Sequence, residues 1–267
     1  MIILTPVLLV LAISMIFGLI LSIASIVMFV PNDEKIDDVT AVLPGANCGA
    51  CGYSGCFDYA VALVNNNAAM TLCAPGGVAA TADIARILGK KNAKFVHSTA
   101  VVHCIADSNI NPKKIVYHGI ESCSAVSQVF GTISNCEYGC IGFGDCVKVC
   151  NYDAISICNG IAVINTALCK SCAKCVTACP KHIISIEKAN TTAVIRCSNN
   201  DRGNVAKSKC SLCCIGCKLC LKACPSNAIT VENNLAVIDS SKCTACKKCI
   251  SVCPKKCISI LKINPNN

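Results

Sequence analysis

Cys243-Thr-Ala-Cys246-Lys-Lys-Cys249-Ile-Ser-Val-Cys253-Pro254 is the stretch that decides the reading of this chain. Three cysteines stand three residues apart, a fourth follows four residues on, and a proline comes directly after it. Neighbours this close pair poorly with one another as disulfides. Four thiolates on one short loop suit an inorganic iron–sulfur core, whose ligands must stay reduced and deprotonated. The same spacing recurs in Cys169-x2-Cys172-x2-Cys175-x3-Cys179-Pro180 and in Cys214-x2-Cys217-x2-Cys220-x3-Cys224-Pro225.

Working outward, these runs belong to an internal repeat. Cys136, Cys140, Cys146 and Cys150 recur 74 residues later as Cys210, Cys214, Cys220 and Cys224, and Cys169, Cys172, Cys175 and Cys179 recur at the same offset as Cys243, Cys246, Cys249 and Cys253. Two tandem modules are therefore expected, at 136–197 and 198–267. In each, two cysteine-rich stretches flank a hairpin. Asn159-Gly160 signals a type I′ turn in the first module, and Asn233-Asn234 tolerates positive φ in the second. Cys158 falls in the first hairpin as a strand residue and not as a ligand.

The runs fit the bacterial ferredoxin pattern, in which the fourth cysteine of each run serves the other cluster. The expected sets in the second module are Cys214, Cys217, Cys220 with Cys253, and Cys243, Cys246, Cys249 with Cys224. In the first module Phe143 stands where Cys217 stands in the second, and Asn151 replaces the usual proline. Cys136 is then expected to be recruited, giving Cys136, Cys140, Cys146 with Cys179, and Cys169, Cys172, Cys175 with Cys150. Cys210 and Cys213 become surplus, with Cys210 as an alternative ligand. Cys104, Cys123, Cys158 and Cys197 read as free thiols. Cys104 and Cys123 lie in a linker, 91–135, that lacks a cluster motif.

Upstream, Cys48-Gly-Ala-Cys51-Gly-Tyr-Ser-Gly-Cys56 and Cys73-Ala-Pro-Gly-Gly form a C-x2-C-x4-C-x16-C set, expected as a small 4Fe-4S domain over 32–90. A helix over about 57–70 would carry Cys73 back to the loop. Residues 1–32 carry no charge, and the run from 7 to 30 is apolar between Pro6 and Pro31. It has no basic leader and no cleavage site, so it reads as a retained single-pass anchor (1–31). Ser14, Gly18 and Ser22 would line a face for a second helix. Reduced thiolates place the bulk of the protein on the cytoplasmic side of the cytoplasmic membrane.

The fold class expected is thus α+β: one transmembrane helix, a small 4Fe-4S domain and two ferredoxin-like modules, with twenty ligands for five [4Fe-4S] clusters. Cys makes up 27 of 267 residues and Trp is absent, which speaks against a TIM barrel or doubly wound enzyme. The apolar content of 54% excludes a disordered nucleic-acid-binding tail. No dinucleotide loop follows a strand and no acid–base pair or nucleophile stands out, so no catalytic residue is assigned beyond cluster redox. The net charge of +9 is offset by clusters of about −2 each. The excess Lys and Arg therefore serves first as compensation. Residues 136–267 carry 17 Lys and Arg against 7 Asp and Glu.

The Cys48–Cys56 motif with Cys73-Ala-Pro-Gly-Gly, ahead of ferredoxin modules, resembles the B subunit of the Rnf electron-transport complex. Cys136-Glu-Tyr-Gly-Cys140-Ile-Gly-Phe-Gly-Asp-Cys146 resembles its longer, anaerobe-type members; Ser54, often proline in the family, and Asn151 depart from the pattern. The resemblance implies an iron–sulfur component of a membrane complex that couples ferredoxin:NAD electron transfer to Na+ or H+ translocation. Its partners would be soluble ferredoxin and other membrane and flavin-bearing subunits, with electrons exchanged at the cytoplasmic side. A membrane-anchored polyferredoxin serving another reductase or a hydrogenase is the alternative. The repeat predicts that Cys136→Ala loses a cluster and Cys210→Ala does not, measured as iron per chain.

Overall fold

The computed structural model describes residues 4–27, 33–188 and 193–261. The apolar run folds as α1 (Leu4–Val27). The single-pass anchor, with the membrane location that rested on it, is corrected: among the described residues no helix is long and apolar enough to cross a membrane. Within α1, Ser14 and Ser22 place hydroxyls among the apolar residues, and Ser14 Oγ donates to Val10 O at 2.8 Å. The expected run also extends to 30, and residues 28–32 lie outside the described ones.

The 32–90 region packs three helices, α2 (Glu34–Val42), α3 (Cys56–Val64) and α4 (Gly77–Ile87), around Val39, Tyr59, Leu63 and Ile84. Asp33 caps α2 by accepting from Lys35 N. α3 is shorter than expected. Its chain turns at Asn66, in the left-handed region at φ 59°, after which Asn67 N donates to Ala62 O. Tyr59 Oη ties the returning chain to α3 by donating to Ala69 O at 2.7 Å.

The segment expected as a linker is structured. Its strand β1 (Ser98–Val102) pairs antiparallel with β4 (Ile184–Lys188), and α5 (Cys123–Phe130) follows β1. Between them the first module runs through α6 (Asp145–Lys148), the hairpin β2 (Ile155–Cys158) and β3 (Ile161–Ile164), and α7 (Lys174–Ala178). The hairpin turn is as the sequence predicts: Asn159 and Gly160 both have positive φ, 49° and 78°.

The second module repeats this order. β5 (Ala193–Ile195) pairs with β8 (Ile258–Ile260), and α8 (Gly203–Lys209), α9 (Leu219–Ala223), the hairpin β6 (Ile229–Glu232) and β7 (Leu235–Ile238), and α10 (Lys248–Ser251) lie between them. The outer strand pair closes each module end to end, as the repeat requires. Alternate strand residues such as Ile155, Ile184, Ile229 and Ile258 are buried against the cysteine loops.

Gly216 marks where loop and hairpin touch. It sits at φ 63°, and a Cβ there would meet Asn234 O at 2.8 Å. Its repeat-mate Gly142 faces Gly160 O in the same way. Gly216→Ala is expected to destabilise the second module by about 2–4 kcal/mol, from left-handed strain and a backbone clash. The midpoint of denaturant-induced bleaching of the visible absorbance would show it.

Candidate iron–sulfur sites

The first set sits between α3 and α4. Gly49 and Gly52, at φ 72° and 88°, turn the loop that carries Cys48 and Cys51, and Asn47 Oδ1 accepts from Cys56 N at 2.8 Å to fix the start of α3. Burial pushes the Cys73 thiol up; Gly76 N–H opposes this, and the nearby Cys56, Cys51 and Cys48 sulfurs push it further. The four cysteines therefore share one place.

The run sets converge likewise. Cys175 is pushed up to about 12, by burial first and then by Cys169, Cys172 and Cys150. Cys220 rises to about 11, by burial and then, against the Leu221 N–H, by Cys214, Cys217 and Cys253. Cys249 rises by burial and through Cys243, Cys246 and, more weakly, Cys224. In all three, the fourth sulfur that acts on the group belongs to the partner run. Ala100 N, on β1, donates to Cys169 Sγ at 3.4 Å. Cys257 stands in the second module where Ile183 stands in the first. Its thiol, raised chiefly by donating to Cys214, holds the proton that Cys214 gives up, and Cys214 falls to about 6.

The remaining set is where sequence and structure part. A small cavity is lined by Cys140, Cys146 and Cys179, and the fourth cysteine on its wall is Cys123, not Cys136. Burial pushes Cys146 up to about 12, and Cys123, Cys179 and Cys175 add to it. The repeat-equivalent cavity in the second module is lined by Cys214, Cys217, Cys220 and Cys253. Cys123 thus occupies the place of Cys217. Phe143, which took that position in the sequence, instead packs its ring 5.7 Å from Tyr117 and beside Val126, Ile133 and Ile141. Phe143 thus anchors the segment that brings Cys123 to the cavity wall. Asp145 completes the attachment: Oδ2 accepts from Ser122 Oγ and Ser124 N, both at 2.9 Å. Burial works against the Asp145 charge, but these donors hold its carboxyl below the usual range. The signal for Cys123 lay in Phe143, a missing ligand that needed replacement from outside the repeat.

Among the described residues no three His, Cys, Asp or Glu side chains form a group able to hold a single metal ion. A tetrahedral zinc site with Zn–S of ~2.3 Å would draw its sulfurs to within about 4 Å of one another. Sets of four sulfurs gathered on one wall suit a multi-iron core, which brings several cations among them. Such a core also offsets the mutual repulsion of four thiolates.

Two family models match: one described as "Putative Fe-S cluster" over residues 43–75, and one described as "4Fe-4S dicluster domain" over residues 214–257. The B subunit of the Na(+)-translocating ferredoxin:NAD(+) oxidoreductase complex of Acetobacterium woodii is 40% identical over 246 residues, covering 92% of this chain and 74% of the relative. The chain belongs to the Rnf B-subunit family. The proton-translocating counterpart from Clostridium ljungdahlii is 35% identical over 86% of this chain and 81% of its own. The B subunit of the ion-translocating oxidoreductase complex of Methanosarcina acetivorans is also 35% identical, over 84% and 86%. As an Rnf B subunit, the chain is an iron–sulfur electron-transfer component of an ion-translocating oxidoreductase complex, and its partners are the other subunits of that complex.

Asp145→Ala is expected to release the Ser122–Ser124 loop and cost about four irons per chain, the content of one cluster. Iron and sulfide analysis checks this; an unchanged count would contradict the placement of Cys123.

Proposed function

We propose that this subunit passes electrons between ferredoxin and the flavin- and nicotinamide-bearing subunits through [4Fe-4S] clusters held in series, while other subunits move the cation. The observation that carries this is the succession of sulfur sets. Cys48 of the first set acts on Cys172 of the first module, and Tyr152 stands beside both, its hydroxyl raised by burial and then by Cys172, Cys48, Cys73 and Cys150. Cys146 and Cys175 then link the two sets of that module. The ligands proposed are Cys48, Cys51, Cys56 with Cys73; Cys169, Cys172, Cys175 with Cys150; Cys140, Cys146, Cys179 with Cys123; Cys214, Cys217, Cys220 with Cys253; and Cys243, Cys246, Cys249 with Cys224. A [4Fe-4S] cluster supplies one-electron transfer at little geometric cost. The chain's residues set spacing, exclude water and donate N–H groups to sulfur.

Ferredoxin is proposed to dock at the second module. Cys217 and Cys246 are the exposed members of its two sets, and the exposed Lys218, Lys247 and Lys248 adjoin them. A basic rim around solvent-accessible ligands suits an acidic electron carrier and steers its approach.

Two measurements test this. Cys123→Ser should lose about four irons per chain while Cys158→Ser, at an exposed strand end, loses none. Replacing Lys218, Lys247 and Lys248 together by Glu should raise the KM for ferredoxin about tenfold or more at low salt, with the difference shrinking as ionic strength rises. Equal KM values for variant and wild type would place docking elsewhere.

A further inference from the structure

Between the two modules stand five cysteines that the series just proposed does not use. Cys104, Cys136, Cys197, Cys210 and Cys213 line one small cavity, of the same kind as the two described above. Four of them are buried, Cys213 to 1% exposure. They come from four places: the end of β1 (Cys104), the start of the first module (Cys136), the chain after β5 (Cys197), and the start of the α8–α9 connection, where Cys210-x2-Cys213 is the one local pair. The fold brings that pair to the other three.

Four of the five form a closed group. Burial pushes the Cys104, Cys210 and Cys213 thiols up, and Cys136 acts on all three; Cys210 also feels Cys213 and Cys104. Cys197 stands apart. Its Sγ accepts from Cys214 N at 3.2 Å and from Asn199 N at 3.5 Å, and of the group it meets only Cys136.

The wall is prepared for negative charge. Asn199, fully buried, donates through Nδ2 to Cys136 Sγ at 3.5 Å. Arg196 lines the cavity half-buried, donates from Nε to Val102 O at 2.7 Å, and has no carboxylate partner among the described residues. A half-buried guanidinium without a carboxylate is costly unless another anion meets it. Lys255 acts on Cys213 from the other side.

We propose that Cys104, Cys136, Cys210 and Cys213 hold a sixth [4Fe-4S] cluster that joins the two modules. This deepens the electron-transfer reading above and rests on it. On one side Cys104 acts on Cys140 of the first module, and on the other Cys213 directly precedes Cys214 of the second. One electron is taken up from a neighbouring reduced cluster and one is given to the neighbour on the far side. No bond to the protein forms or breaks and no proton need move. Cys210, expected from the repeat to be surplus, becomes a ligand together with its repeat-mate Cys136, and the two lie in one site instead of equivalent ones.

The test is iron, zinc and sulfide analysis with EPR on the anaerobically purified full chain and its variants. The wild type is expected to hold about 24 irons, six clusters of about four. Cys104→Ser with Cys213→Ser, and separately Cys210→Ala, should each lose about four irons, with circular dichroism unchanged. Cys217→Ser, in a set of the parent reading, should also lose about four. If Cys217→Ser loses iron and the Cys104/Cys213 variant does not, the sixth cluster is overturned while the series of five stands. If neither loses iron, both readings fall, and zinc bound in place of iron overturns the sixth cluster. Arg196→Gln keeps every cysteine and covers the case in which cysteine variants do not fold. It should shift about one sixth of the reducible EPR signal to lower potential, because a cation that favours the reduced form is lost, and Arg196→Lys should restore it. A titration identical to wild type in Arg196→Gln would count against the site.

Discussion

Crowding of buried sulfur is the constraint on which the rest of this structure depends. A thiolate in an apolar core is penalised by desolvation, and each further thiolate beside it adds repulsion. Here that happens repeatedly: Cys140, Cys146 and Cys175 are all pushed up to about 12, with burial the leading cause. Such a core is stable only if cations enter it, so binding of the inorganic core and folding are one equilibrium. The thin apolar complement follows from this. Short hairpins and one-turn helices suffice because the clusters act as the interior around which Ile155, Ile184, Ile229 and Ile258 are packed.

The same constraint explains the charge. An excess of Lys and Arg looks like a nucleic-acid or acidic-partner signature until the thiolates are counted, after which most of it is compensation. What remains is local. Arg196 is spent on a cavity wall, whereas Lys218, Lys247 and Lys248 face solvent beside the exposed ligands. One basic surplus thus both lines a buried wall and rims the exposed cysteines of the second module.

Much of the fold was legible because the ligand runs carry their own geometry. The 74-residue offset specified two modules, and the Asn159-Gly160 and Asn233-Asn234 turns located both hairpins in register. What was illegible came from long-range closure. Nothing local in Ser98–Val102 says that it pairs with Ile184–Lys188 and so turns a linker into a module edge. Nothing local in Cys123 makes it a substitute for Cys217; that depends on Phe143 docking the 117–133 segment. The strict repeat pointed to Cys136 as the substitute, since it assumed that each module closes on itself. The apolar run was read from composition as an anchor spanning residues 1–31, but among the described residues no helix is long and apolar enough to cross a membrane.

The central claim is that specific groups of four cysteines hold iron–sulfur clusters in one continuous series. Anomalous diffraction at the iron absorption edge, from crystals of the anaerobically prepared full chain, tests it most directly. The account predicts iron density in the cavity walled by Cys123, Cys140, Cys146 and Cys179, in its counterpart walled by Cys214, Cys217, Cys220 and Cys253, and between them beside Cys104 and Cys213. Density that appears only at the zinc edge, or iron beside Cys136 and Cys140 together with an empty Cys123, would contradict it.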